Sequence, residues 1–218
     1  MIYTKFCVTS VVDYTKFIQQ YHLTNFPVGL GGCRVYGNSF DVCDYDLTVF
    51  DNKQEPSTVV SFENRLIHIH HGSFDNTQTK TLLSYLQMRV IHDDSWDLRT
   101  FLLKIHERKS TLFNDHAKNC ILDSLFSSKK SLDGLGTDVF SPCWQKCASF
   151  YLAEAICALN QKNLSPSHML ESMRSVEKTP INETLTVVNE TIGMERATPT
   201  LLERMLKSTI GFSALVEM

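Results

Sequence analysis

The pattern of apolar residues changes near residue 93, and this change constrains the fold more than any other feature of the chain. Residues 1–93 contain short apolar runs separated by turn residues, whereas residues 94–218 are helical in pattern almost throughout. Strand, helix and hairpin signals that alternate within one segment are typical of an α+β domain. We therefore predict an α+β domain over residues 1–93, followed by an all-α helical bundle over residues 94–218.

Local patterns in the first 93 residues predict a helix at the start and several strands after it. Val11, Tyr14, Ile18 and Tyr21 recur at spacings of three and four, which indicates one apolar helix face over about residues 10–22. The remaining patterns predict a short apolar run at 26–30, strands at 44–50, 59–60, 66–70 and 88–91, a tight turn at 63–64 and a helix at 76–87.

A helix start signal recurs in the second half of the chain. A hydroxyl residue that can cap a helix precedes a proline suited to the first helical position, in pairs that begin at Ser141, Ser165, Thr179 and Thr198. The segment 143–160 carries a continuous apolar stripe from Trp144 to Leu159. We predict an antiparallel bundle of four or five helices.

Composition and charge exclude several classes of protein. The 218 residues are 43% hydrophobic and 21% charged, which argues against an intrinsically disordered chain. The formal net charge of −3 disfavours a protein built mainly to coat nucleic acid. Residues 17–33 carry no charged side chain, but they contain proline, histidine, amides and three glycines, so we predict no membrane-spanning segment there.

The cysteines indicate where the protein works. The chain has seven cysteines, an odd number, and residues 1–5 lack the basic and apolar regions of a signal peptide. These two features predict a reducing, cytoplasmic location. Cys143 and Cys147 lie one helical turn apart, and no pattern nearby supplies further metal ligands. We therefore interpret these two cysteines as core residues of the helix that contains Trp144.

Two aspartates in one predicted strand are candidate metal ligands. Asp44 and Asp46 project from the same face, because strand side chains alternate, whereas Tyr45, Leu47 and Val49 point into a core. Carboxylates held together repel each other, and a divalent cation such as Mg²⁺ removes that penalty. An isolated pair of this kind is also common on a solvated edge strand.

Two glycines at the end of the preceding apolar run favour the metal site over the solvated edge strand. Eleven residues separate Gly32 from Asp44. Gly31 and Gly32 can let a ligand approach the backbone closely, and their N–H groups can surround an anion. Arg34 and Ser39 supply further donors in the same loop. A simple tight turn is the alternative interpretation, but the spacing to the two aspartates favours a phosphate site beside a metal site.

This spacing resembles the signature of a known superfamily. Leu30-Gly31-Gly32, eleven residues and then Asp44-Tyr45-Asp46-Leu47 resemble the motif of the polymerase-β-type nucleotidyltransferases. The helical half is similar to that of small bacterial and archaeal members, including the kanamycin nucleotidyltransferase-like group. The resemblance implies a mixed sheet with helices, followed by a helical bundle.

The resemblance also implies an activity, which is transfer of a nucleoside monophosphate from an NTP to an acceptor. Asp44 and Asp46 would hold Mg²⁺ (or Mn²⁺), and Gly31, Gly32, Arg34 and Ser39 would bind the nucleotide. The acceptor stays open between a small molecule, a protein hydroxyl and an RNA end. The oligomeric state is also open, a homo-oligomer included.

Members of the superfamily that the chain resembles normally have a third carboxylate on a later strand, which helps to bind the catalytic metal and to activate the acceptor hydroxyl. This chain departs from that pattern. The strand expected to carry that residue reads Leu66-Ile67-His68-Ile69-His70-His71. His68 is our first candidate for the third catalytic position, with His70 as its neighbour on the same face. Imidazole is a softer ligand than Mg²⁺ prefers, and without a Cys-x-x-Cys partner the cluster alone does not indicate a zinc site.

Besides His68 and His70, two alternatives stay open. The position could be filled by Glu63 or by another acid, and Glu63 would lie near Asp44 if residues 44–50 and 58–62 formed a hairpin. Alternatively, the site has lost catalysis, and the protein binds a nucleotide or a partner, as an antitoxin-like protein would.

Overall fold

A five-stranded mixed sheet with helices forms the first part of the chain, and the second part is helical. The computed structural model describes residues 12–36, 39, 43–162, 172–173, 175–177, 179, 182–192 and 198–216. The predicted α+β class is confirmed. No described helix is both long and apolar enough to cross a membrane.

The elements of the first part lie close to their predicted positions. In chain order they are α1 (Tyr14–Gln20), β1 (Val28–Leu30), α2 (Cys33–Tyr36), β2 (Tyr45–Val49), β3 (Thr58–Phe62), β4 (Arg65–His71), α3 (Thr79–Tyr85) and β5 (Arg89–His92). Asp13 caps α1 by accepting a hydrogen bond from the backbone N–H of Lys16 at 3.1 Å. Glu63 and Asn64 form the predicted tight turn, and both have positive φ angles.

The strand order β3-β4-β2-β1-β5 places the two strands with chemistry side by side. β2 pairs with β4 in parallel, and the other neighbouring strands are antiparallel. The hairpin that would bring Glu63 to Asp44 is therefore wrong, because β3 pairs with β4 and not with β2. Two parallel strands must be joined by a crossover connection. Here the chain passes from β2 to β4 through β3, which lies at the edge of the same sheet.

The two faces of β2 differ as the alternation of its residues predicts. Tyr45, Leu47 and Val49 are buried in a core that includes Phe17 and Ile18 of α1. Burial of each such side chain contributes roughly 1.5–3 kcal/mol to folding. This core holds β2 in place, so its other face has a fixed position and carries Asp46 and Thr48.

The helical part begins directly after β5. Its helices are α4 (Asp97–Glu107), α5 (Lys109–Asp133), α6 (Ser141–Leu159), α7 (Leu185–Ile192) and α8 (Pro199–Val216), with a 3₁₀ turn at Asn182–Thr184. Thr198 caps α8 as predicted, since its hydroxyl accepts from the N–H of Leu201 at 3.2 Å. Pro166 and Pro180 lie outside the described residues.

Two predictions about α6 are wrong. The helix is preceded by Phe140, which makes no side-chain cap, and the Ser141 hydroxyl instead donates to the Ser131 carbonyl at 2.6 Å. Cys143 and Cys147 are exposed and are not core residues. The buried face of α6 consists mainly of small side chains, among them Ala148, Ala153, Ala155, Cys157 and Ala158.

The described residues separate into two compact units, of which the first contains those up to His116 and the second those from Ala117 onward. The first unit contains the sheet. In the second unit, α6 packs against α7, and the Ser124 hydroxyl of α5 donates to the Ala148 carbonyl of α6 at 2.8 Å. The domain boundary that we predict after residue 93 stays a prediction.

Candidate functional site

The polar face of β2 meets the polar face of β4. The parallel register pairs Asp46 with His68 and Thr48 with His70. Residues paired in this way point to the same side of the sheet, so the carboxylate and both imidazoles lie on one surface. His68 and His70 share a face as predicted, and their ring centroids are 4.0 Å apart.

Both imidazoles lie close to the aspartates. Nε2 of His70 is 3.4 Å from Oδ1 of Asp46, and Nδ1 of His68 is 3.8 Å from the same oxygen. Nδ1 of His68 is also 3.8 Å from Oδ2 of Asp44. One imidazole therefore lies within reach of both carboxylates, and Asp44 and Asp46 face the same place.

Three of these side chains form a group that fits a metal ion. One ligand atom each from Asp46, His68 and His70 lies within 4.8 Å of the other two. Asp44 is outside this set of three, although its carboxylate lies beside His68. The carboxylate oxygens suit any divalent ion, whereas the imidazole nitrogens suit first-row transition metals better than Mg²⁺.

The glycine turn lies directly against Asp46. The Gly31 N–H donates to the Asp46 carbonyl at 2.8 Å, which joins the turn to β2. Gly32 has a φ of 67°, and a Cβ at this position would lie 2.0 Å from Oδ2 of Asp46. Only glycine therefore allows both this backbone and this position of the carboxylate.

Arg34 and Ser39 contact each other rather than the cleft. Nη1 of Arg34 donates to the Ser39 hydroxyl at 3.2 Å, and Nη2 donates to the Cys43 carbonyl. The guanidinium carbon lies 4.7 Å from the ring centroid of Tyr45, whose side chain points away from Asp46. These contacts hold the loop before β2, and nucleotide binding by Arg34 and Ser39 stays a prediction.

A cleft of about 460 Å³ opens beside the glycine turn and the metal-ligand group. Gly31, Gly32, Asp46 and His70 line one side of it, and α3 supplies further residues, namely Lys80, Thr81, Ser84 and Tyr85. Sequence reasoning missed the residues of α3. The available signal was weak, because an ammonium and a hydroxyl one turn apart are ordinary on a helix surface.

Two groups near the cleft stay protonated at neutral pH. Burial, with a hydrogen bond that the thiol donates to Cys43 as the second cause, raises the pKa of the Cys33 thiol to about 11. Burial also raises the pKa of the Tyr85 hydroxyl. Neither group is therefore a ready nucleophile, although the Tyr85 side chain lines the cleft.

Glu63 is engaged elsewhere. It lies in the β3–β4 turn, where its Oε1 accepts from Nζ of Lys16 at 2.8 Å. Within the described part of the chain, Glu63 does not join a group of three metal-ligating side chains. The carboxylate that sequence reasoning placed near Asp44 instead ties α1 to the sheet.

Comparisons with known proteins found no match in sequence and a distant likeness in structure. No protein-family model matches this chain, and no curated protein is similar enough in sequence to match it. Among solved structures, the chain is similar to the crystal structure of a nucleotidyltransferase-like protein from Exiguobacterium sibiricum 255-15. The two are 10% identical, the likeness covers 84% of this chain and 72% of the other, and the TM-score is 0.40.

Proposed function

We propose that this protein transfers a nucleoside monophosphate from an NTP to an acceptor with the help of a divalent metal ion. The observation that carries the proposal is the contact between Gly32 and Asp46, where an added Cβ would lie 2.0 Å from the carboxylate. A glycine turn pressed against a metal-ligating aspartate, at the edge of an open cleft, suits a metal-bound polyphosphate.

The residues of the site divide the work as follows. Asp44 and Asp46 would hold the metal ion, which neutralises charge on the phosphate in the transition state. The Gly31–Gly32 backbone lines the cleft beside Asp46, where the triphosphate would lie, and Lys80 adds a positive charge to the cleft. His68 fills the third position, opposite Asp46 in the sheet. The acceptor hydroxyl oxygen bonds to the α-phosphorus while the bond from that phosphorus to the oxygen that bridges to the β-phosphate breaks. The hydroxyl proton goes to solvent, and pyrophosphate leaves.

A labelled-nucleotide assay tests this proposal. The protein is incubated with each α-labelled NTP and Mg²⁺ or Mn²⁺, with and without cell extract, and pyrophosphate release and label transfer are both scored. We expect transfer with at least one NTP and its loss in Asp46→Asn. Asp94→Asn is the matched control, because the Asp94 side chain is 91% exposed and lies outside the site. Absence of transfer under every condition contradicts the proposal.

A second candidate function is nucleotide binding without transfer. The specific observation in its favour is that His68 and His70, and not a carboxylate, lie beside Asp46. Because a ligand that binds only the folded state raises its melting temperature, this alternative predicts a thermal shift with NTP and metal but no pyrophosphate. Transfer and binding are therefore distinguished by the same set of samples.

A further inference from the structure

We propose that Asp46, His68 and His70 form a site for a divalent first-row transition metal ion, which the protein binds in preference to Mg²⁺. The inference deepens the proposed function, because Asp46 belongs to both, but it can be tested without any nucleotide. It rests on the spacing of the three ligand atoms, on the orientation of His68 and on the chemistry of the donor set.

The spacing matches a single ion. Metal bonds from imidazole nitrogen and carboxylate oxygen are about 2.1 Å long, so neighbouring ligands of a tetrahedral ion are about 3.4 Å apart. Oδ1 of Asp46 is 3.4 Å from Nε2 of His70 and 3.8 Å from Nδ1 of His68. Both imidazole nitrogens therefore lie within a few tenths of an ångström of this spacing from Asp46, and one ligand atom from each of the three residues lies within 4.8 Å of the other two.

His68 is oriented by a partner outside the group. Its Nε2 lies 2.9 Å from the Ser57 hydroxyl, while its Nδ1 faces the carboxylates of Asp44 and Asp46. With Nε2–H donating to Ser57, the lone pair of Nδ1 points to the two carboxylates. A cation between them is the arrangement that stabilises this tautomer, as hydrogen bonds to the second nitrogen do for metal-bound histidines in general.

The backbone makes the arrangement rigid. His68 and His70 alternate with Ile67 and Ile69, which are buried in the core under β4. Asp46 alternates in the same way with buried residues of β2, and the parallel ladder fixes the register between the strands. The three ligands are thus placed by the sheet and not by a loop.

The donor set selects the class of metal. Mg²⁺ requires oxygen ligands in a nearly octahedral shell and loses its water reluctantly. Imidazole nitrogen binds first-row transition ions more strongly, so two imidazoles and one carboxylate favour such ions over Mg²⁺. Mn²⁺ is the cleanest probe, since it resembles Mg²⁺ in charge and in its use of oxygen ligands but also accepts imidazole.

The experiment measures metal binding to the full chain, stripped of metal by a chelator. Mn²⁺ is titrated and free Mn²⁺ is followed by its electron paramagnetic resonance signal, while Mg²⁺ is added as a competitor. We expect Mn²⁺ to bind at least roughly tenfold more tightly than Mg²⁺. Pulsed measurements on the bound ion should show coupling to imidazole ¹⁴N.

Variants then assign the ligands. His70→Gln should weaken Mn²⁺ binding by roughly tenfold or more and remove part of the ¹⁴N coupling, while its circular dichroism spectrum stays that of the parent. His106→Gln is the control, because His106 is an exposed histidine of α4 in the same unit, and it should change neither property.

The outcomes separate this inference from the proposed function. Equal affinity for Mn²⁺ and Mg²⁺, or a Mn²⁺ complex without ¹⁴N coupling, overturns the transition-metal site even when nucleotidyl transfer with Mg²⁺ is active. Tight Mn²⁺ binding that depends on His70, in a protein that transfers no nucleotide, supports the site and contradicts the proposed activity.

Discussion

At the scale of single residues, Gly32 is the position where the backbone and the site depend on each other most directly. Its φ of 67° is a conformation that glycine adopts freely. The place of its absent Cβ is occupied by the Asp46 carboxylate, with Oδ2 at 2.0 Å. Gly31 differs, because an added Cβ there would meet only the Asp46 carbonyl at 3.8 Å, an ordinary contact.

Substitution of Gly32 should therefore disturb binding more than stability. Gly32→Ala forces the flexible end of Asp46 aside and strains the backbone, at a cost of roughly 1–2 kcal/mol. Gly136→Ala is the matched control, since Gly136 has a φ of 79° and open space around its missing Cβ. We expect both variants to lose similar free energy of unfolding in urea, but only Gly32→Ala to lose Mn²⁺ and NTP binding. Unchanged binding in Gly32→Ala would show that Asp46 does not need its observed position.

At the scale of elements, the sequence predicted strands better than their partners. β2 and β4 were recognisable because polar and apolar residues alternate in each. Their parallel pairing was not, because it depends on where β3 lies, and the hairpin assumed between β2 and β3 misplaced Glu63. His70 consequently lies nearer to Asp46 than the residue first assigned to the third position, His68.

The error in α6 has a different cause. Small and apolar residues surround most of this helix, so a stripe at spacings of three and four does not identify one buried face. Cys147 and Leu159 belong to the predicted stripe but are exposed, whereas Ala153 and Cys157 are fully buried. Periodicity locates a helix, but the tertiary contacts of α6 with its neighbours decide which side is covered.

The buried thiol of Cys157 makes the stability of this helical element sensitive to alkaline pH. Burial raises the pKa of Cys157 from an ordinary 9.0 to about 11 in the folded protein. Because the raised value belongs to the folded state, the thiol contributes fully below pH 9.0 and loses its contribution as the pH rises to about 11. The advantage of the parent over Cys157→Ala should therefore shrink across this range.

Urea unfolding of the parent and of Cys157→Ala, at several pH values from about 8 to about 11, measures this effect. The comparison cancels the titration of every other group, because both proteins contain them. One pKa unit corresponds to about 1.4 kcal/mol, so the difference in unfolding free energy should fall by an amount on that order. A difference that stays constant with pH would mean that the Cys157 thiol does not titrate differently on folding.

At the scale of the whole molecule, all the residues of the candidate site belong to the first compact unit, whose described residues are those up to His116. The glycine turn, the two strands with ligands and the face of α3 are separated by up to 54 residues in sequence, from Gly31 to Tyr85, so no local pattern could show that they meet. The sheet order and the register bring them together. The binding of metal and nucleotide should therefore leave a local signature, which is a change in dynamics confined to these elements of the chain.

Hydrogen exchange of backbone amides, read by mass spectrometry, tests that signature. With Mn²⁺ and the NTP that gives the largest thermal shift, we expect slower exchange in β1, β2, β4 and α3, because ligand binding suppresses local opening of the elements that it contacts. Helix α6, in the second unit, should keep its exchange rates. Asp46→Asn under the same conditions should show no such protection. Any slowing of exchange that remains in this variant is an effect of metal and nucleotide in solution and not of binding at the site. Protection confined to α6 and α7 would place the binding site in the helical unit, and the glycine turn beside Asp46 would then be a structural feature of the sheet alone.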